Sequence, residues 1–179
     1  MKASILLAGM LAAASASAVS MSRVGVFSLS GEGNTSGITY AGGSIYYVID
    51  DKTEMLTRYT ITLNDAGAIQ SVSTNAAVAT GLKDAEGCAY DPGSGRVWVS
   101  DETGPKIREI DPTSGATGTA VGFPSVLSQY NDNYSLEALT ISGDGLTMWT
   151  ANAEALEGGG VMMNQAIHTL DLVQWLAGP

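Results

Sequence analysis

Acidic side chains cluster at both ends of the stretch from Asp84 to Glu102: Asp-Ala-Glu-Gly-Cys-Ala-Tyr-Asp-Pro-Gly-Ser-Gly-Arg-Val-Trp-Val-Ser-Asp-Glu. Cys88, Ala89 and Tyr90 suit a short strand, and Val97, Trp98 and Val99 suit a second, being β-branched or aromatic. Between them Asp91-Pro92-Gly93-Ser94-Gly95 is a dense turn signal, since Pro presets φ and Gly accepts positive φ. If the two strands pair, Glu86 comes level with Asp101 and Glu102. Three carboxylates at one end of a hairpin offer hard oxygen ligands to a cation, and without one they repel. The same residues also suit a quieter role, capping turns or accepting backbone N–H bonds at strand ends.

The elements that would position them repeat. Gly37-Ile38-Thr39-Tyr40, the turn Ala41-Gly42-Gly43-Ser44 and the apolar run Ile45 to Ile49 make a first strand–turn–strand, closed by Asp50-Asp51. Leu56 to Leu63 alternates with period two, Asn64-Asp65-Ala66-Gly67 is a hairpin turn, and Ala68 to Ser73 completes a fourth strand. From Gly37 to Gly87 to Ala138 the pattern returns at steps of 50 and 51 residues. The second strands return with it, as Tyr46 to Asp50, Val97 to Asp101 and Met148 to Asn152. A four-stranded unit of about 50 residues signals a β-propeller, because a β-sandwich carries no such internal period. The expected fold is therefore all-β: an incomplete propeller of about two and a half antiparallel blades. Closing a ring takes at least four blades, so the chain reads as a fragment of a propeller, with self-association through open blade edges or an open stack as alternatives.

Bulk properties narrow the function. The net charge of −10 argues against nucleic acid and anionic membrane surfaces, which need clustered Lys and Arg. A single cysteine, Cys88, excludes an intrachain disulfide, and its apolar strand makes it a small buried hydrophobe rather than a nucleophile. Residues 1–18 have the form of a secretory signal peptide: Lys2, the apolar run Ile5 to Ala14, and Ala16-Ser17-Ala18 for cleavage. Cleavage removes one Lys and no acid, taking the net charge from −10 to −11, and delivers the chain to the periplasm or the exterior with no membrane span.

Asp84-Ala85-Glu86-Gly87-Cys88-Ala89, Trp98-Val99-Ser100-Asp101-Glu102, Leu136-Glu137-Ala138-Leu139-Thr140 and Asn152-Ala153-Glu154-Ala155-Leu156 together resemble the secreted phytase-like propeller family labelled "esterase-like activity of phytase". The resemblance covers about residues 22–156, with Cys88 where Leu is usual and Ala138 where Gly is usual. By analogy with calcium-dependent propeller phytases it implies hydrolysis of a small-molecule ester or phosphate ester at acidic, metal-bearing blade ends. Ca²⁺ would hold the anionic substrate and polarise its oxygen for attack by water. The metal candidates are Glu86, Asp101, Glu102, Glu137, Asn152 and Glu154; Glu86 and Glu137 hold equivalent positions in successive units, as do Asp101 and Asn152. No catalytic residue is assigned. Tyr130-Asn131-Asp132-Asn133-Tyr134 is read as an inter-blade loop.

The texture changes after Leu156. Val161 to Ala177 has helical periodicity, with Met163, Ala166, Ile167, Leu170, Val173 and Ala177 on one stripe. Gly158-Gly159-Gly160 with His168 and Asp171 resembles a helix of the glucose–fructose oxidoreductase and inositol dehydrogenase superfamily. That resemblance covers residues 157–179 and lacks the dinucleotide fingerprint and catalytic lysine of such enzymes. The chain is thus read as a signal peptide (1–18), a phytase-like propeller segment (19–156) and a foreign helical tail (157–179), the signature of a chimera. Two rival functions stand beside the hydrolase: a non-catalytic extracellular binding or scaffold propeller, and a piece of an NAD(P)-dependent oxidoreductase.

Overall fold

The structure is a computed structural model that describes residues 33–121 and 135–152. The signal peptide, the loop at 130–134, Glu154 and the helical tail fall outside those residues. The described residues contain strands and turns only. The first sheet is β1 (Thr35–Tyr40), β2 (Ile45–Asp50), β3 (Met55–Leu63) and β4 (Ile69–Ala79), in that order and antiparallel throughout. The second repeats it as β5 (Ala85–Asp91), β6 (Arg96–Asp101), β7 (Lys106–Ile110) and β8 (Thr117–Val121). The third begins with β9 (Leu136–Ile141) and β10 (Met148–Asn152). This is a partial propeller, with the first strands β1, β5 and β9 lying side by side at the inner edge.

The second sheet buries apolar side chains on both faces because a neighbouring sheet covers each face. Along β6, Val97 and Val99 enter a core with Ile49, Leu56, Leu82, Ala85, Cys88 and Ile110, between the first and second sheets. Trp98 points the other way, against a core of Ala89, Ile107, Leu136 and Leu139 between the second and third. Period two and double burial together explain why Val-Trp-Val reads as a continuous apolar run rather than an alternation. Tyr47 stacks on Tyr90 across the first seam, with ring centroids 5.9 Å apart, and the Tyr90 N–H donates to Thr39 Oγ1 at 2.9 Å.

The hairpin turns form as their residues dictate. In the second blade Asp91 accepts from the Gly93 N–H at 2.8 Å and from the Ser94 hydroxyl at 2.6 Å, and Gly95 closes the turn at φ +71°. The longest strand departs from the sequence expectation. The fourth strand was expected to end at Ser73 but β4 runs to Ala79, although Asn75, Ala76 and Ala77 are poor β formers. The nine-residue β3 offers a ladder from Met55 to Leu63, and β4 follows it with bulges at Arg58/Tyr59 and Thr62/Leu63.

Two glycines set the spacing of the inner strands. A Cβ on Gly37 would stand 2.5 Å from Glu86 O, and one on Gly87 would stand 2.4 Å from Leu139 N. Strand β1 therefore touches β5, and β5 touches β9, backbone against side-chain-free backbone.

Candidate functional site: an acidic end of the inner strands

The inner strands all begin at the same end of the molecule, and there the repeat places Ser36, Glu86 and Glu137 at one level. Each follows the first residue of its strand and precedes the close-packed Gly37, Gly87 or Ala138. Glu86 and Glu137 are half-buried. Burial pushes the Glu86 carboxyl up to about 7, and the charge of Glu137 adds to the effect; a hydrogen bond with the Ser36 hydroxyl opposes it.

The ends of the second strands supply the next level. Asp50 is fully buried and accepts five hydrogen bonds. Gly33 N and Asn34 N donate to one oxygen at 2.8 and 2.7 Å; Lys52 N, Thr53 N and Thr53 Oγ1 donate to the other at 3.1, 2.8 and 2.9 Å. Asp101 holds the matching place in the second sheet, accepting from Thr103 N at 2.8 Å and pairing with Lys106 Nζ at 3.0 Å. Both aspartates fasten the turn that follows them. Asn152 ends β10 opposite Leu136, the third copy of this position.

One residue further on, Asp51 and Glu102 reach across the seams to the following sheet. Glu102 is buried, and its Oε1 accepts from Ser135 N–H, just ahead of β9. Burial raises its carboxyl above the ordinary value, Ser135 N–H counteracts that, and Glu137, Asp84 and Asp101 add repulsion. Asp51 is likewise buried, and one oxygen each of Asp51, Asp84 and Glu86 lie within 4.8 Å of one another. So the structure brings Glu86, Glu102 and Glu137 into one electrostatic neighbourhood. Asp101 lies at its edge, tied to Lys106.

Neither Asp84 nor Asp51 is among the metal candidates expected from the sequence. The usable signal was the step of 51 residues that relates Asp51 to Glu102 and Asp84 to Ser135. Such an end of a propeller can hold a hard cation through carboxylate oxygens, or keep one carboxyl protonated near neutrality. Cys88 does neither: it is buried, its thiol is pushed up to about 12 by burial, and Sγ faces Tyr47 O at 3.9 Å. A separate groove of about 560 Å³ follows the inner strands away from the acids, lined by Ile38, Tyr40, Tyr90, Leu139 and Trp149 among others.

The family model described as "Phytase-like: Esterase-like activity of phytase" matches residues 30–176. The match runs through most of the tail that resembles oxidoreductases, so one family spans both textures. None of the curated proteins compared with the chain matches it significantly. Among solved structures, the Kuenenia stuttgartiensis hydrazine synthase is similar at 16% identity and a TM-score of 0.45, over 73% of this chain and 32% of that one. A luciferin-regenerating enzyme is similar at 15% identity and a TM-score of 0.47, over 68% of this chain and 38% of that one. The chain thus spans about a third of the length of these structures.

Proposed function

The chain belongs to the phytase-like family of esterase-like activity, and on that premise we propose that it is the acidic face of a metal-assisted hydrolase of small-molecule esters or phosphate esters. The observation that supports this most directly is the acidic neighbourhood formed by Glu86 and Glu137, at the starts of adjacent inner strands, and Glu102, just past the end of β6, with the Glu86 carboxyl raised to about 7. Hard carboxylate oxygens suit Ca²⁺. When bound, such a cation offsets the negative surface and polarises the ester oxygen. Glu86, Glu102 and Glu137 would supply ligands to the cation in this reading, with Asp101, Asn152 and Glu154 completing the candidate set. In hydrolysis the oxygen of water bonds to phosphorus or to the acyl carbon, the ester bond to the leaving oxygen breaks, and a proton from water passes to the leaving alkoxide. Close backbone packing at Gly37 and Gly87 sets the spacing of the inner strands that carry Glu86 and Glu137.

Turnover of p-nitrophenyl phosphate and p-nitrophenyl acetate, with Ca²⁺ and with a chelator, tests the reading. Calcium-dependent release of nitrophenol from either is expected, and it should fall with Glu137→Gln. Absence of turnover of both substrates, in the full chain with calcium, would sink it.

A second reading has an observation of its own. Asp101 and Glu102 each make hydrogen bonds that hold a turn or a seam, and the described residues contain no histidine. A non-catalytic binding propeller would look like this, and it would bind an ester in the same assay without releasing product. Export to the periplasm or the exterior belongs to either reading, supported by residues 1–18; fractionation of expressing cells tests it. Self-association through open blade edges is tested by sedimentation of the purified chain.

A further inference from the structure

Asp51 and Glu102 occupy equivalent positions at successive seams, yet their carboxylates are satisfied differently. At the second seam the longer Glu102 reaches the backbone N–H of Ser135. At the first seam Asp51 is one methylene shorter and faces Asp84 and Glu86, the counterparts of Ser135 and Glu137. Asp51 is 4% exposed. Its Oδ2 meets Lys52 Nζ at 2.8 Å, while its buried Oδ1 has no hydrogen-bond partner. A buried carboxylate oxygen without a donor is destabilising, and nearby carboxylates add to that.

We propose that a divalent hard cation, calcium by preference, occupies the seam between the first two sheets, bound by Asp51, Asp84 and Glu86. The cation supplies Asp51 Oδ1 with the partner that the protein does not. It joins the β2–β3 turn of one sheet to the start of β5 in the next, so it acts as a clamp between blades. Calcium fits better than magnesium, because ligands from two separate sheets form an irregular oxygen set and Mg²⁺ demands a near-ideal octahedron. Lys52 stands at the mouth, its side chain 68% exposed and its ammonium drawn to Asp51, Asp84 and Glu86. It is the resident cation that an incoming metal displaces. The clamp needs no substrate and does not rest on the hydrolase reading.

Calorimetric titration of Ca²⁺ and Mg²⁺ into the chelator-treated full chain, with thermal melts in parallel, tests this. Calcium should bind and raise Tm by several degrees at saturating concentration, with magnesium weaker. Asp51→Asn and Asp84→Asn should each weaken calcium at least ~10-fold, as loss of one charged ligand does. Lys52→Gln, at an exposed position where folding is not at risk, should tighten it severalfold, whereas Asp65→Asn, in a distant turn, should leave it unchanged. No heat and no Tm shift with wild-type protein at millimolar calcium overturns the proposal. So does wild-type affinity in both Asp51→Asn and Asp84→Asn, or an unchanged affinity in Lys52→Gln. Calcium binding without ester turnover would leave the clamp standing and remove only the hydrolase.

Discussion

Glu86 and Glu137 stand at the same level of adjacent inner strands, one repeat apart, and the charge on Glu137 helps burial hold the Glu86 carboxyl near pH 7. A carboxyl raised from its ordinary 4.5 is more stable protonated in the folded chain than in the unfolded one. Its ionisation therefore destabilises the fold progressively as pH rises from about 4.5 to about 7. Glu86→Gln should stabilise the chelator-treated protein by about 1 kcal/mol at pH 8, a figure discounted because solvent reaches the site, and by almost nothing at pH 4.5. Urea unfolding across that range checks it. A difference between variant and wild type that does not change with pH would contradict the assignment.

Gly87→Ala should cost about 2–3 kcal/mol. The added methyl would stand 2.4 Å from Leu139 N and 2.7 Å from Ala138 C, and backbone on both sides leaves little room to move. Gly143→Ala is the matched control. A Cβ there meets nothing within 4 Å, so its effect should stay within about 0.5 kcal/mol. Thermal or urea melts of the two variants separate packing from the general effect of replacing glycine.

Ser100→Ala should destabilise by about 1–2 kcal/mol. The buried hydroxyl accepts from Gly87 N at 2.8 Å, and alanine leaves that amide without its partner. The effect should be strongly non-additive with Gly87→Ala, since the Gly87 methyl would also come within 2.9 Å of Ser100 Oγ. Additive losses in a double-mutant cycle would mean that the two residues do not act on the same seam.

Asp50→Ala should be the most damaging of these changes, at about 3 kcal/mol, because it strands donors from Gly33, Asn34, Lys52 and Thr53. Burial works to raise the Asp50 carboxyl, but the Thr53, Asn34 and Gly33 donors outweigh it and hold it below its ordinary 3.8. Its contribution is therefore complete above pH 3.8 and fades as pH falls through the lower folded value. An acid-unfolding midpoint that moves upward in Asp50→Asn would show this directly.

The parts of the fold that were legible in the sequence are those whose cause is local. Asp91 to Gly95 and Gly42-Gly43 specify turns by their own chemistry, and the repeat from Gly37 to Gly87 to Ala138 marks three inner strands that the structure confirms. Equivalence in that repeat also foretold that Glu86 and Glu137 would share a level. The extension of β4 to Ala79 was not legible, because the partner strand decides it against the preference of Asn75, Ala76 and Ala77. Nor was the meeting of Asp51 with Asp84 and Glu86. It depends on the register between two sheets, which no single segment encodes.

The bond from Ser135 N–H to Glu102 has a consequence for how the molecule comes apart. It fixes the residue at the threshold of β9 to a side chain at the far end of β6, so the third sheet starts from a point that exists only when the second is formed. Coupling of this kind makes unfolding a domino sequence rather than a set of independent losses, with each sheet protecting the amides of its successor.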